Sequence, residues 1–181
     1  MVEVIVERSF EDPADYDAIQ ARENCQAGCF DEHRVRFLGT WLSKDRRRMI
    51  CLYEAPDAES VRIVQRQAKM PLDRVWSATR TSPPAGSPRP APEAQEHVVV
   101  ERSFETPITP VAIAALLEKG GECLPRHRVA YLGGHLASDG RRMICVFLAP
   151  DAESVRIANR QGGAPFDRSW TAERRDPAPP A

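Results

Sequence analysis

Long apolar runs are missing from this sequence: none approaches the roughly 18–20 residues that span a bilayer as a helix, so a membrane-spanning helix is not expected. Net charge is almost absent as well, at −1. A dedicated nucleic-acid binder or a polybasic membrane anchor would carry a basic excess, so neither class is expected. Cys-x-x-Cys, a glycine-rich phosphate loop, a Gly-x-Ser-x-Gly elbow and a His-Glu-x-x-His helix are all lacking. With them go the sequence signals for a disulfide framework, a phosphate cradle, a hydrolase nucleophile and a zinc-protease site. Lysine is scarce: of 25 basic residues only Lys44, Lys69 and Lys119 are lysine. Arginine favours forked pairing with carboxylates or anionic ligands, although a GC-rich coding bias produces the same skew.

What is present is a globular composition, 42% hydrophobic and 28% charged over 181 residues, which argues against wholesale disorder. The start, Met-Val-Glu-Val-Ile-Val-Glu-Arg, alternates like a strand and carries early charges, unlike a signal peptide, and a cytoplasmic location is expected. Of 16 prolines, five fall in 81–96 and three follow Asp176. Such segments favour extended spacers. The expected division is therefore a first repeat over 1–80, a proline-rich linker over 81–96, a second repeat over 97–175 and a proline-rich tail over 176–181.

The repetition is literal. A shift of 94 aligns residues 3–80 with 97–174 without a gap, and 41 of 78 positions are identical. Glu7-Arg8-Ser9-Phe10-Glu11 recurs as Glu101-Arg102-Ser103-Phe104-Glu105, and Ala55–Ile63 recurs unchanged as Ala149–Ile157. Each copy reads as strand (2–10), helix opened by Pro13 and running to about Glu32, strand (35–43), strand (47–54), helix capped by Asp57, and strand (74–80). That order, βαββαβ, is the ferredoxin-like split βαβ arrangement. In the third strand Met49, Cys51 and Tyr53 alternate with Ile50 and Leu52, and in the second Phe37 and Trp41 alternate with Leu38 and Leu42. Apolar residues on both faces predict a sheet covered on both sides. The expected fold class is thus α+β, two ferredoxin-like repeats forming an intramolecular pseudo-dimer whose sheets pack face to face or close into a dimeric α+β barrel-like form. The protein is expected to be a monomer in this sense, with further self-association left open.

Few residues offer chemistry. Cys29 and His33 are four apart at the end of the first helix, and Cys123 with His127 repeats the spacing. One helical face would then present a thiolate and an imidazole to a soft or borderline divalent metal; a small buried cysteine beside a helix-capping histidine is the alternative. Cys51 and Cys145 sit mid-strand, as core residues or as donors. Glu7 and Glu101 end the first strand of each copy, where a carboxylate can bind metal or act as a base, or pair with Arg8 or Arg62. Arg62 with Arg66, and Arg156 in the second copy, could clamp an anion or line a solvated face. Trp41 becomes His135 in the second copy, an asymmetry that either marks a single ligand site or reflects drift. The third strand lacks the paired stacking aromatics of RNA-recognition domains, so RNA is not expected as a partner.

The segments Val-Glu-Arg-Ser-Phe, Glu-His-Arg-Val-Arg-Phe-Leu and Met-Ile-Cys-Leu-Tyr-Glu-Ala-Pro-Asp-Ala-Glu-Ser resemble a family of small bacterial nickel-binding, ferredoxin-like proteins. The resemblance covers both repeats and implies a βαββαβ fold that pairs through its sheets. It matches His33 and His127 to the family histidine before the second strand, and Cys51 and Cys145 to its cysteine. Members also carry a histidine pair in the second helix, where this chain has Gln65 and Lys69 or Asn159 and Gly163, which leaves cysteine and glutamate to complete a site. Two functions follow as expectations: divalent metal binding, nickel or another transition metal, through His33, Cys29, Cys51 and Glu7 or their counterparts His127, Cys123, Cys145 and Glu101; or a small-molecule binder or enzyme using the cavity between the two sheets, with Trp41, His135, Arg62 and Arg156 as candidate ligand-binding residues.

Overall fold

The computed structural model describes residues 1–25, 27–84, 87, 95–119 and 122–177. Most of the expected linker, the Gly120-Gly121 pair and the last four residues of the tail lie outside the described residues. The chain divides into two compact units, residues 1–78 with 173–181, and residues 79–172.

Alternation at a period of two turns Val4, Val6 and Arg8 to one face of the first strand and Ile5 and Glu7 to the other. In the first repeat the order is β1 (Val2–Ser9), α1 (Tyr16–Asn24), α2 (Ala27–Glu32), β2 (Arg36–Ser43), β3 (Arg48–Ala55), α3 (Ala58–Gln67) and β4 (Arg74–Thr81). β1 lies between β3 and β4, β2 pairs with β3, and every pairing is antiparallel. The second repeat follows with β5 (Glu96–Ser103), α4 (Pro110–Lys119), α5 (Cys123–Arg126), β6 (Ala130–Ala137), β7 (Arg142–Ala149), α6 (Ala152–Gln161) and β8 (Arg168–Arg175), joined in the same way. The chain is mixed α+β and holds two βαββαβ repeats.

Local chemistry sets the element ends. Asp57 and Asp151 cap α3 and α6, their carboxylates accepting from the Ser60 and Ser154 backbone N–H at 2.7 Å. These bonds hold both aspartates below the ordinary carboxylate range. The first helix departs from expectation. It does not open at Pro13 and run unbroken to Glu32; Asp15 caps α1, and a second helix, α2, follows.

A second departure concerns β2. Its register against β3 shifts between Phe37 and Gly39, so Leu38 is an extra, unpaired residue. The bulge breaks the simple alternation. Phe37 and Leu42 share the helix-covered face with Met49, Cys51 and Tyr53, whereas Trp41 does not belong to that cluster. Gly39 sits in the bulge at φ +134 and Gly133 repeats it at φ +137, backbone that a side chain rarely tolerates. A Cβ at Gly39 would also run into the Arg174 guanidinium.

One apolar cluster per repeat lies between sheet and helices, built on Val4, Val6, Tyr53, Val61 and Val64 in the first and on Val98, Val100, Phe147, Val155 and Ala158 in the second. Ile5, Ile50 and Leu52 on the opposite face of the first sheet are buried too, as are Val99, Ile144 and Val146 in the second. Among the described residues no helix is long and apolar enough to cross a membrane.

Candidate functional site

Arg8 continues the inward face of β1 after Val4 and Val6, so strand geometry alone drives a guanidinium into the core. It is 2% exposed. A buried cation is costly unless it is paired and its N–H groups are satisfied. In the first repeat a carboxylate and several acceptors surround it. Arg8 Nη1 donates to the Pro71 carbonyl at 2.7 Å, and Nη2 donates to Gln65 Oε1 at 2.7 Å and Glu23 Oε1 at 3.3 Å. Tyr53 donates to the same Glu23 oxygen at 2.7 Å, and Gln65 Nε2 donates to the Tyr53 hydroxyl at 3.1 Å. Glu23 comes from α1, Tyr53 from β3 and Gln65 from α3, so the network ties both helices to the sheet.

Burial by itself would lower the Arg8 pKa, but the thiolate and phenolate forms of Cys51 and Tyr53, together with Glu23, outweigh that and hold it above its ordinary value. Burial pushes the Cys51 thiol and, further, the Tyr53 phenol up. Both are therefore neutral at ordinary pH, and the ion-pair partner of Arg8 is Glu23, at 3.3 Å.

The second repeat keeps the arginine and loses its surroundings. At the shift of 94, Glu23 becomes Leu117, Tyr53 becomes Phe147 and Gln65 becomes Asn159. Arg102 is 9% exposed. Its Nη2 donates to Asn159 Oδ1 at 2.5 Å and its Nε to Cys145 Sγ at 3.4 Å, while Nη1 donates to the Pro165 carbonyl. No carboxylate among the described residues pairs with it. A phenol does return one strand away, because the Phe37–Tyr53 ring pair of the first repeat becomes Tyr131–Phe147. The Tyr131 hydroxyl, however, lies 2.7 Å from Thr81 Oγ1, and its hydrogen bond is made there.

Beside Arg102 lies a cavity of about 50 Å³. Its wall is apolar, with Ile113, Leu117, Leu124, Met143 and Phe147. The polar end is Arg102, Cys145 and Asn159, and Tyr131 also lines the cavity. Leu117 and Phe147, which stand where the first repeat has its acid and its phenol, both line it.

The residues singled out in the sequence are dispersed by comparison. Glu7 accepts from Trp76 Nε1 at 2.7 Å and from Arg74 at 3.1 Å, and Glu101 from Trp170 at 2.7 Å with Arg168 at 3.5 Å. The partner of Glu7 is thus neither Arg8 nor Arg62, since Arg8 points to the other face of β1. Arg62 binds Glu59 and the Val75 carbonyl, and Arg156 binds Glu153 and the Ser169 carbonyl. Cys29 donates to Gln67 Oε1 at 2.5 Å, and His127 Nε2 lies 2.8 Å from Gln161 Oε1. Cys51 is buried against Thr40, 3.2 Å away. Trp41 carries the Arg174 guanidinium 4.3 Å above its ring, and His135 is 5% exposed on β6. His33 follows α2, its backbone N–H bonded to the Cys29 carbonyl, and Cys123 is half-buried at the start of α5. Among the described residues no three His, Cys, Asp or Glu side chains gather as a metal site. Of the twelve residues named from the sequence, Cys145 alone lines this cavity.

The family described as nickel responsive protein SCO4226-like matches the chain twice, over residues 5–77 and 99–170. The chain belongs to this family. SCO4226 from Streptomyces coelicolor A3(2) is 19% identical with a TM-score of 0.36, covering 40% of this chain and 90% of its own. A mutant chlorite dismutase from Candidatus Nitrospira defluvii, 10% identical with a TM-score of 0.51, covers 97% of this chain and 90% of its own. That likeness concerns the fold alone. A heme-binding protein from Thermus thermophilus is 9% identical with a TM-score of 0.47, covering 96% of this chain and 90% of its own. No curated protein sequence matches.

For this member of the nickel-responsive family, the donor set around the buried arginines is a poor match to nickel. Gln65 and Asn159 each accept from a buried guanidinium, at 2.7 and 2.5 Å. A fixed cation at that distance opposes a divalent ion, and both amides are weak donors for a borderline metal.

Proposed function

We propose that the protein is a small-molecule-binding member of its family and that the second repeat holds the binding site, one per chain. The observation that carries this reading is the cavity beside Arg102, with an apolar wall and a compact polar end, the usual makeup of a ligand site. The first repeat is the structural counterpart, with its own acid, phenol and amide around Arg8. A panel of small neutral and charged organic fragments, followed by protein-observed NMR, tests it. Binders should perturb Leu117, Phe147 and Asn159 and leave Glu23 and Tyr53 unmoved; a ligand at 100 times its Kd adds about 2.7 kcal/mol to stability. The reading fails if no fragment perturbs the second repeat.

A second reading keeps the metal that the family name suggests. It is supported by the helix-end pairs Cys29 with His33 and Cys123 with His127. Two donors are half of an ordinary transition-metal set, so such a site is weak and open, completed by water. Equilibrium dialysis of untagged protein against nickel should show binding that His33→Ala/His127→Ala removes; binding unchanged in the double variant contradicts it.

A further inference from the structure

We infer that the ligand of the second repeat is a small monocarboxylate with an apolar tail, its carboxylate bound by Arg102 and its tail against Leu117 and Phe147. This rests on the small-molecule reading above and adds the ligand's chemical class.

The first repeat supplies the template. There an arginine at the same strand position is balanced by a carboxylate that arrives from the helix above, Glu23, at 3.3 Å. In the second repeat the strand, the arginine and the amide side chain on the following helix remain, but the position of that carboxylate is taken by Leu117. Removing the acid while keeping the cation leaves Arg102 bonded only to neutral acceptors among the described residues, Asn159, Cys145 and the Pro165 carbonyl. Guanidinium groups bind carboxylates through charge-assisted bonds, stronger than those to neutral acceptors and strongest where water is excluded. A diffusible acid therefore restores what the second repeat lacks.

The wall selects the rest of the molecule. Leu117, Phe147 and Met143 offer no hydrogen-bonding group, and the hydroxyl of Tyr131, which also lines the cavity, is engaged with Thr81, so a second charge or a polar tail would be buried unpaired. Space sets the length. A cavity of about 50 Å³ is about a third of an engineered cavity that admits benzene, which suits only the shortest acids, of about two or three carbons. Phosphate esters and dicarboxylates carry more charge than one guanidinium balances.

The test compares propanoate with its neutral isostere propanamide by titration calorimetry and by NMR of the second repeat. The acid should bind once per chain, about tenfold or more tighter than the amide, the difference expected between charged and neutral acceptors. Leu117→Glu, which returns the chain's own carboxylate, should abolish acid binding, and Arg102→Gln should remove the preference for acid over amide. The comparison on wild-type protein needs no variant, so it stands even if Leu117→Glu does not fold. Equal binding of acid and amide, or sulfate binding as tightly as the acid, overturns the carboxylate assignment while leaving a small-molecule site in place. Failure of every fragment, neutral ones included, removes the site itself.

Discussion

Glu23→Ala is expected to lower the free energy of unfolding by about 3–5 kcal/mol, the cost of stranding one member of a buried ion pair. Arg8 is 2% and Glu23 6% exposed, so neither group can recover its hydration by moving to the surface. The loss is wider than one pair. Tyr53 and Gln65 both donate to Glu23 Oε1, at 2.7 and 3.4 Å, and the alanine leaves the Tyr53 hydroxyl without its acceptor in a buried site. Urea denaturation followed by tryptophan fluorescence measures it, and a loss under about 1 kcal/mol would show that water or a rearranged side chain replaces the carboxylate. Replacing the whole set by apolar residues should cost much less than removing the acid alone, because no charge is then left unmatched.

The second large effect is a gain. Glu23→Leu/Tyr53→Phe/Gln65→Asn gives the first repeat the residues that the second repeat carries at those positions, Leu117, Phe147 and Asn159. The triple variant should be more stable than Glu23→Leu alone by about 1 kcal/mol or more, since Tyr53→Phe removes the stranded hydroxyl and the shorter amide follows a pattern that the second repeat already folds with. It should also raise the stoichiometry of propanoate from one to two per chain, with the new site depending on Arg8. A triple variant that folds and still binds one equivalent would mean that cavity shape, and not the missing acid, decides where ligand goes.

Much of the fold is legible in the sequence because duplication prints the same pattern twice. Alternation gives the strands, Asp57 and Asp151 the caps, and the 94-residue shift the two βαββαβ units. The bulge at Leu38–Gly39 is less legible, since simple alternation puts Phe37 and Trp41 on one face and only the pairing with β3 reveals the extra residue. The candidate site leaves a fainter trace. Arg8 has the parity of Val4 and Val6, which marks it as an inward-facing charge. The changes Glu23 to Leu117 and Tyr53 to Phe147 are a correlated loss of polarity between the copies. The cysteine and histidine spacing along the first helical segment is the more conspicuous pattern, but it is a local one. The contacts that matter join Arg8 to residues 15, 45 and 57 positions away, and spacing within one helix carries no information about such contacts.

The most direct measurement is NMR of the arginine side-chain Nε–H signals during titration with propanoate. Arg8 and Arg102 are both buried, which slows exchange and sets their signals apart from those of exposed arginines. The Arg102 signal should shift and saturate at one equivalent while Arg8 stays fixed, because Arg8 already holds Glu23. Equal shifts at both arginines, or binding with Arg102 unmoved, would contradict the assignment of the acid to Arg102.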